Sequence, residues 1–270
     1  MVQRVFTRLT EVVATALPGR RISTVFDVGA RDCDDSAQFV QHYPDATVYA
    51  FECNPATLPA CRDMAAAHPA LRLTEKAVSD RPGKITFYQT DPERSNTDAP
   101  GLAPGTSSLF AVTGKYPEEN YVQRRIEVEA ITLGDFMADN AIREIDILWM
   151  DVQGAELLVL KGLGERIRDV VCVHMEVEFF EIYRGQALFS SVHPEMAAAG
   201  FVLAGFNSYS RYAADAVYFR GDLGISRLAM WWRHPYLLRN WRKVVQHRCK
   251  RWLRRMIGRS EWPQPRVAKG

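Results

Sequence analysis

A chain of 270 residues and 30.6 kDa with 47% hydrophobic content suits one large domain with an appendage, or two small ones, and excludes global disorder. Its five cysteines, Cys33, Cys53, Cys61, Cys172 and Cys249, form an odd set without a CxxC pair, which excludes a disulfide framework and a zinc knuckle and points to a reducing cytoplasm. The net charge of +2 hides an asymmetry: residues 223–270 carry 13 Lys/Arg and one acid, Glu261, a net +12, and residues 1–222 carry 21 bases and 31 acids, a net −10.

Residues 1–20 read as an amphipathic helix stopped by Pro18-Gly19. They lack the uninterrupted apolar run of a secretory signal, and no window of about 18 uncharged apolar residues predicts a membrane span. An alternation follows. STVFDV (23–28) is a strand, DDSAQFVQHY (34–43) a helix, TVYAFE (47–52) a strand, NPATLPACRDMAAAHP (54–69) a helix, and LRLTEKAVSD (71–80) a third strand. This βαβαβ order predicts a parallel sheet with helices on both faces, and the strands are apolar on both sides, as doubly covered strands are.

Residues 83–131 break that rhythm. GKITFYQT and RRIEVEAIT alternate with period two and predict an inserted antiparallel pair. The long Pro/Gly/Ser/Thr segment between them, DPERSNTDAPGLAPGTSSLF, is expected to touch substrate or cofactor, with a tolerated surface insertion as the alternative. The βα rhythm then resumes with a helix at LGDFMADNA, a strand at IDILWMD, a helix at GAELLVLKGLGE and a strand at VVCVHMEVE. HPEMAAAG is a further helix, and FVLAGFN and DAVYFR read as a closing pair of strands. The resulting expectation is an α/β fold with a doubly wound, mostly parallel sheet. It is divided into an N-terminal helix at 1–21, a main domain at 22–222 and a basic helical extension at 223–270.

Ligands of open α/β sheets bind outside the carboxyl ends of the strands. The predicted strands end in Asp27-Val28-Gly29-Ala30, Phe51-Glu52, Val78-Ser79-Asp80, Met150-Asp151 and Met175-Glu176-Val177-Glu178, so each delivers a carboxylate to one rim. Gly29 permits a tight turn, and an acid ending the second strand suits a ribose diol. A dinucleotide needs G-x-G-x-x-G so that pyrophosphate meets bare backbone. Here the loop GARDCD has one glycine and is acidic, which repels phosphate and suits a sulfonium cation with an ammonium group. That favours S-adenosylmethionine over NAD. The alternative is a helix N-terminus merely capped by aspartates.

The residues DVGA, YAFECNP, AVSD, GKITFY, LGDF, IDILWMDVQGAELLVLKG, EVE and DAVYF, spread over about 22–220, resemble the FkbM-type methyltransferases. The most specific part is Met150 to Gly162. The resemblance implies a class I, Rossmann-like fold and S-adenosylmethionine-dependent O-methylation of sugar or polyketide hydroxyls. It also implies cofactor contacts at Asp27, Gly29, Ala30, Glu52, Ser79 and Asp80. Family members commonly carry asparagine and glycine where this chain has Arg31 and Cys33, and EPNP where it has Glu52-Cys53-Asn54-Pro55. The tail has no counterpart.

Methyl transfer to a hydroxyl requires alignment and removal of the acceptor's proton, by a base or by a metal that acidifies it. Asp151 is the first candidate for base or metal ligand, with a helix cap as its alternative. Glu176 and Glu178, on one side of a strand, are candidates for catalysis or acceptor binding, or a solvated strand end. His174 reads as a satisfied core group and Glu156 as half of a structural salt bridge, while Arg184 could bind an anionic acceptor or simply be surface. A divalent metal is not expected.

The tail sequence 235–259 sets Leu238, Trp241, Val245, Cys249, Trp252 and Met256 at helical spacing among basic residues, with no acid. That pattern suits an anionic membrane surface, through residues 236–257. Docking on an acidic protein body is the second option, and nucleic acid, for which no readout motif is present, the third. Together these observations predict an O-methyltransferase acting on a sugar hydroxyl of a glycan or glycolipid, cytoplasmic and peripheral on the inner membrane surface. The rivals are a nucleotide-sugar or NAD-linked oxidoreductase and a non-catalytic Rossmann-like scaffold.

Overall fold

The computed structural model describes residues 2–96 and 104–256. The helix α1 (Val2–Ala16) is followed by the alternation β1 (Thr24–Val28), α2 (Asp34–His42), β2 (Thr47–Phe51), α3 (Leu58–Ala67) and β3 (Leu71–Thr74). Then come β4 (Ala77–Val78), β5 (Gly83–Thr90), β6 (Gln123–Ile131), α4 (Leu133–Asp139), β7 (Ile145–Met150), α5 (Glu156–Leu163) and β8 (Val170–Glu178). The chain closes through α6 (Phe189–Ala198), β9 (Phe201–Phe206), β10 (Ala213–Arg220), α7 (Arg227–Arg233) and α8 (Pro235–Met256).

The expected doubly wound sheet is present, in the order β3-β2-β1-β7-β8-β10-β9. Five strands run parallel, and β10 is antiparallel to both β8 and β9. Strand order reverses between β1 and β7, where Val25–Val28 pair with Ile147–Met150. In such a sheet the crevice at the switch point is the natural ligand site. One face, bearing Phe26, Leu148 and Val173, packs against α4, α5 and α6. The other, bearing Val25, Ile147 and Cys172, packs against α1, α2 and α7.

The predicted antiparallel pair is also present, with β5 and β6 in register from Gly83↔Ala130 to Thr90↔Gln123. It belongs to a separate three-stranded sheet completed by β4, which runs parallel to β6. This corrects the third predicted strand. LRLTEKAVSD is two strands: β3 leaves the main sheet at Thr74, and Ala77–Val78 joins the small sheet instead. The third main-sheet strand therefore does not carry Ser79-Asp80 to the rim.

In the tail, the stripe residues Val245 and Cys249 are exposed and Trp241 is partly buried, while residues beside the stripe form the docked side of α8. Leu237 and Val244 are buried to 0% and 3% exposure, and Asn240 between them donates to the backbone carbonyl of Phe206 at 3.0 Å. Leu237 fits against Gly205, where a Cβ would approach its Cβ to 2.8 Å. The first turns of α8 are thus seated on β9, and Val245, read as part of the stripe, faces solvent at 38% exposure. The side chains of Trp252 and Met256, and residues 97–103 of the long loop, lie outside the described residues. Among the described residues no helix is long and apolar enough to cross a membrane.

The seating of α8 has a measurable consequence. Leu237→Ala will lower unfolding stability by about 2–5 kcal/mol through cavity formation, whereas Val245→Ala will stay within about 0.5 kcal/mol. Urea unfolding of the two variants compares them directly; equal small losses would mean that the helix is not docked.

Candidate functional site

Two hollows meet at the carboxyl ends of β1 and β7. Gly29 makes their junction possible. Its φ is +84°, and a Cβ there would lie 2.0 Å from the backbone carbonyl oxygen of Asp151. Only glycine allows β1 and β7 to approach this closely while the chain turns. The turn is held by the Gly29 and Ala30 N–H groups, which both donate to the Phe51 carbonyl, and by the Asp151 N–H donating to Val28.

The first hollow encloses about 530 Å3 of space open to solvent. Val28, Phe51, Val78, Phe87, Leu109 and Val152 give it an apolar wall, and Glu52 stands at its edge. The Glu52 carboxylate accepts from the backbone N–H groups of Arg31 (2.7 Å), Cys53 (2.7 Å) and Asn54 (2.6 Å). Burial raises this carboxyl above its usual range, and those three N–H groups work against the rise. A carboxylate has about four acceptor positions, so one remains for a hydroxyl rather than the pair a diol would use.

The second hollow, about 590 Å3 and also open, is acidic. Asp27, Asp32, Asp35 and Asp151 line it with Ala30, Trp149 and the loop residues Gly105 and Thr106. Asp27 is 1% exposed and accepts a short hydrogen bond from the Ser36 hydroxyl. Burial, then the charge of Asp35, pushes its carboxyl up to about 8. Asp35 rises to about 6 through burial, although Arg31 pulls it down. Among the described residues, Arg31 lines both hollows and is the one cation in either apart from Lys76, which belongs to the first. Its backbone is left-handed, with φ 52°, and its guanidinium pairs with Asp32 at 2.9 Å.

Asp151 is exposed to the cleft yet surrounded by protein on its other sides. Burial raises its carboxyl; the Gln153 amide and Arg31 oppose that. The Gln153 amide nitrogen lies 2.6 Å from Asp151 Oδ1 and 3.3 Å from Glu176 Oε2, so it donates to both carboxylates. Burial and then the Asp151 charge push Glu176 well above the carboxylate range. Asp215 sits directly across from Glu176 on β10 and is raised by burial to about 6.

Asp27, Gly29, Ala30, Glu52 and Asp151 are therefore brought around one double hollow, and Glu176, outside its lining, is tied to Asp151 through the Gln153 amide. Ser79 and Asp80 are not. Ser79 is buried beneath Gly162, whose Cβ would meet the Ser79 carbonyl at 2.2 Å, and Asp80 points to solvent. Lys76, Ala77 and Val78 take that wall instead. Glu178 is 1% exposed, lines neither hollow, and leaves Oε2 without a partner. Among the described residues Glu156 has no salt-bridge partner; it accepts from the Val152 and Gly154 N–H groups, which orders the turn after β7, and burial raises it to about 7. His174 is a core group as expected, stacked on Trp149 at 4.0 Å and held neutral by burial, with its pKa lowered to about 3. Arg184 donates to the Val112 carbonyl on the exposed surface.

The part of the long loop that is described roofs the hollows. Asn54, buried, donates to the Pro104 carbonyl (3.2 Å) and the Ser107 hydroxyl (3.2 Å). The Tyr183 hydroxyl lies 2.9 Å from the Thr106 carbonyl and 2.8 Å from Gln153 Oε1. Asn54, Gln153 and Tyr183 are thus site residues that sequence reasoning passed over. The signal for Gln153 was available, in the motif DVQGAE between two assigned acids. Among the described residues no group of three or more His, Cys, Asp or Glu is arranged to hold a metal ion.

A match to the Methyltransferase FkbM domain covers residues 27–203. The chain belongs to this family. It is 31% identical over 166 residues to the 2-O-methyltransferase NoeI of Sinorhizobium fredii, covering 60% of this chain and 66% of that protein. It is 31% identical over 172 residues to the 31-O-demethyl-FK506 methyltransferase FkbM of Streptomyces tacrolimicus, with 57% and 66% covered. The chain thus spans just under two thirds of the length of these relatives. Among solved structures, the Methanococcus jannaschii fibrillarin pre-rRNA processing protein aligns with a TM-score of 0.44 at 12% identity, over 76% of this chain and 69% of that one.

The raised carboxyls make a pH prediction. Asp27, Glu156 and Asp215 keep their protons in the folded chain over a range where the unfolded chain has lost them, so the folded state binds more protons. Stability therefore falls as pH rises from about 4 towards 8. His174 acts oppositely, because its depressed pKa removes stability below about 6.5. The ligand-free melting temperature will drop between pH 6.5 and 8.5, and Asp27→Asn will flatten that drop and be the more stable protein at pH 8.5. A melting curve of the wild type that rises over this interval would contradict the assignment.

Proposed function

We propose that the protein is an S-adenosylmethionine-dependent O-methyltransferase acting on a hydroxyl of a glycan or glycolipid. The observation that carries this is the junction at Gly29 of an apolar slot with a recess of uncompensated carboxylates. The fit follows from charge and shape. An adenine ring suits the wall formed by Phe51, Val78 and Leu109, and Glu52 retains one acceptor position for a ribose hydroxyl. The Asp27, Asp35 and Asp151 carboxyls suit an ammonium and a sulfonium, and Arg31 suits a carboxylate. Pyrophosphate would meet repulsion from the same aspartates, which weighs against a dinucleotide. When bound, the cofactor supplies a methyl group already activated on a positively charged sulfur.

The chain's own residues supply the rest. Asp151, open to the cleft, accepts the proton of the acceptor hydroxyl as the oxygen becomes nucleophilic. Gln153 holds Asp151 and Glu176 in one arrangement through its amide, and Tyr183 links Gln153 to the roof at Thr106. Glu176 and Asp215 offer further carboxyls to acceptor hydroxyls.

Support for a sugar acceptor comes from the rim near Glu176. Tyr116, Phe180 and Tyr212 form an aromatic group with ring centroids 5.3–6.5 Å apart, and Tyr121 lies 6.1 Å from Tyr116. Burial, together with nearby carboxylates that include Glu176, pushes the Tyr116 and Tyr121 phenols up. Aromatic faces beside carboxylates suit the C–H faces and hydroxyls of a sugar ring. Both relatives are named for O-methylation.

Calorimetric titration with S-adenosylhomocysteine, with NAD as the control ligand, tests the cofactor assignment. Binding of the first alone is expected, and binding of NAD alone would overturn the proposal. Glu52→Ala will weaken S-adenosylhomocysteine binding about tenfold or more. Asp151→Asn will lower kcat by about 10²–10⁴-fold while leaving that binding within a few-fold. Mass spectrometry of glycans from cells lacking the protein should show the loss of an O-methyl group; an unchanged methylation pattern would refute the glycan assignment.

A further inference from the structure

The described chain exposes four large apolar side chains, Val202, Leu228, Trp232 and Val245, and all four lie on one edge of the molecule, on β9, α7 and α8. Leu228 and Trp232 stand out, at 76% and 88% exposure, and are one helical turn apart on α7. The same elements expose Arg227, Arg233, Arg239, Arg242 and Lys243, and neither helix contains an acid. Val202 and Arg227 line one shallow hollow, so the apolar and basic groups share a surface.

We propose that this edge binds an anionic lipid surface, with Trp232 and Leu228 entering the headgroup region and the basic side chains meeting lipid phosphates. The face of α8 that bears Leu237, Asn240 and Val244 is docked on the body, so the most exposed apolar groups of this edge come from α7. A tryptophan beside a leucine suits the membrane–water boundary, and each nearby base adds attraction to anionic lipid. A second copy of this chain is the poorer occupant. A two-fold interface would lay five bases against the same five bases.

The direction of α8 gives the contact a purpose. Its successive turns touch Gly205 through Leu237, Phe206 through Asn240 and Tyr209 through Lys243, whose ammonium lies 5.6 Å from the tyrosine ring. The helix therefore climbs along β9 towards the carboxyl rim that carries Asp151, and runs on to Met256. From Val245 to Met256 it extends about 18 Å further, at about 1.5 Å per residue. The contact thus begins near the amino end of β9, where Val202 and Arg227 lie, and α8 carries it towards the rim where the proposed acceptor enters.

Flotation of the full chain with vesicles of phosphatidylcholine alone, and with phosphatidylglycerol added, tests the proposal. Binding is expected only to the anionic vesicles and should fall with rising salt. The double variant Leu228→Ser/Trp232→Ala, which alters exposed positions only, should lower vesicle binding about tenfold with an unchanged melting temperature. Equal binding to both vesicle types, no binding to either, or wild-type binding by the double variant would each overturn it. So would a dimer in sedimentation that this variant dissociates, since the surface would then belong to a second copy.

Discussion

The site depends on a single close approach. The carbonyl oxygen of Asp151 stands where a side chain on residue 29 would begin. This contact joins the two halves of the sheet at the point where strand order reverses, and it sets the carboxylate after β7 beside the loop after β1. From that junction the apolar slot opens towards β2 and β4, and the acidic recess opens towards α2. A methyl group on residue 29 would part the strands, and both hollows would lose their common wall.

Around this junction the chain gathers more negative charge than it neutralises. Among the described residues, the cation that acts on Asp35 and Asp151 is Arg31, which is already paired with Asp32, and Asp27, Glu176 and Asp215 add to the same negative group. Burial of like charges raises each carboxyl and favours shared protons over full ionisation. A positively charged ligand would release those protons and remove the repulsion, so the ligand-free protein stores an electrostatic preference for cations. The Gln153 amide is the local compromise, since its two N–H groups can serve two carboxylates at once.

Much of the fold was legible because strand and helix periods differ and because doubly covered strands are apolar throughout. β1, β2, β7 and β8 were found with the acids at their ends. The failures have specific causes. LRLTEKAVSD looks like one strand by composition, but Glu75 and Lys76 mark a change of sheet that a periodicity count cannot register. Asp80 was assigned to the rim through that error. Glu178 shares the strand parity of Glu176, but it is Glu176 that the Gln153 amide ties to Asp151, while Glu178 is buried; parity says nothing of depth. On α8 two overlapping stripes were available, and the docked one includes a polar residue, Asn240, whose value lies in bonding a backbone carbonyl of β9. The roof contacts of Asn54 and Tyr183 span 50 and 77 residues of sequence, and nothing local announces them.

The first helix of the chain is completed by the last two. Tyr236 donates to the Arg8 carbonyl, His234 meets the Thr15 hydroxyl, and Met230 and Leu237 share a cluster with Leu9, Val12 and Val13. Part of the apolar side of α1 is covered early, where Phe6 meets Phe39 of α2, but the part that meets Met230 and Leu237 waits for more than two hundred further residues. Such distant pairings delay closure of the chain and prolong the interval in which that side can meet a wrong neighbour. A chain cut short before α7 would leave open the part of α1 that Met230 and Leu237 cover.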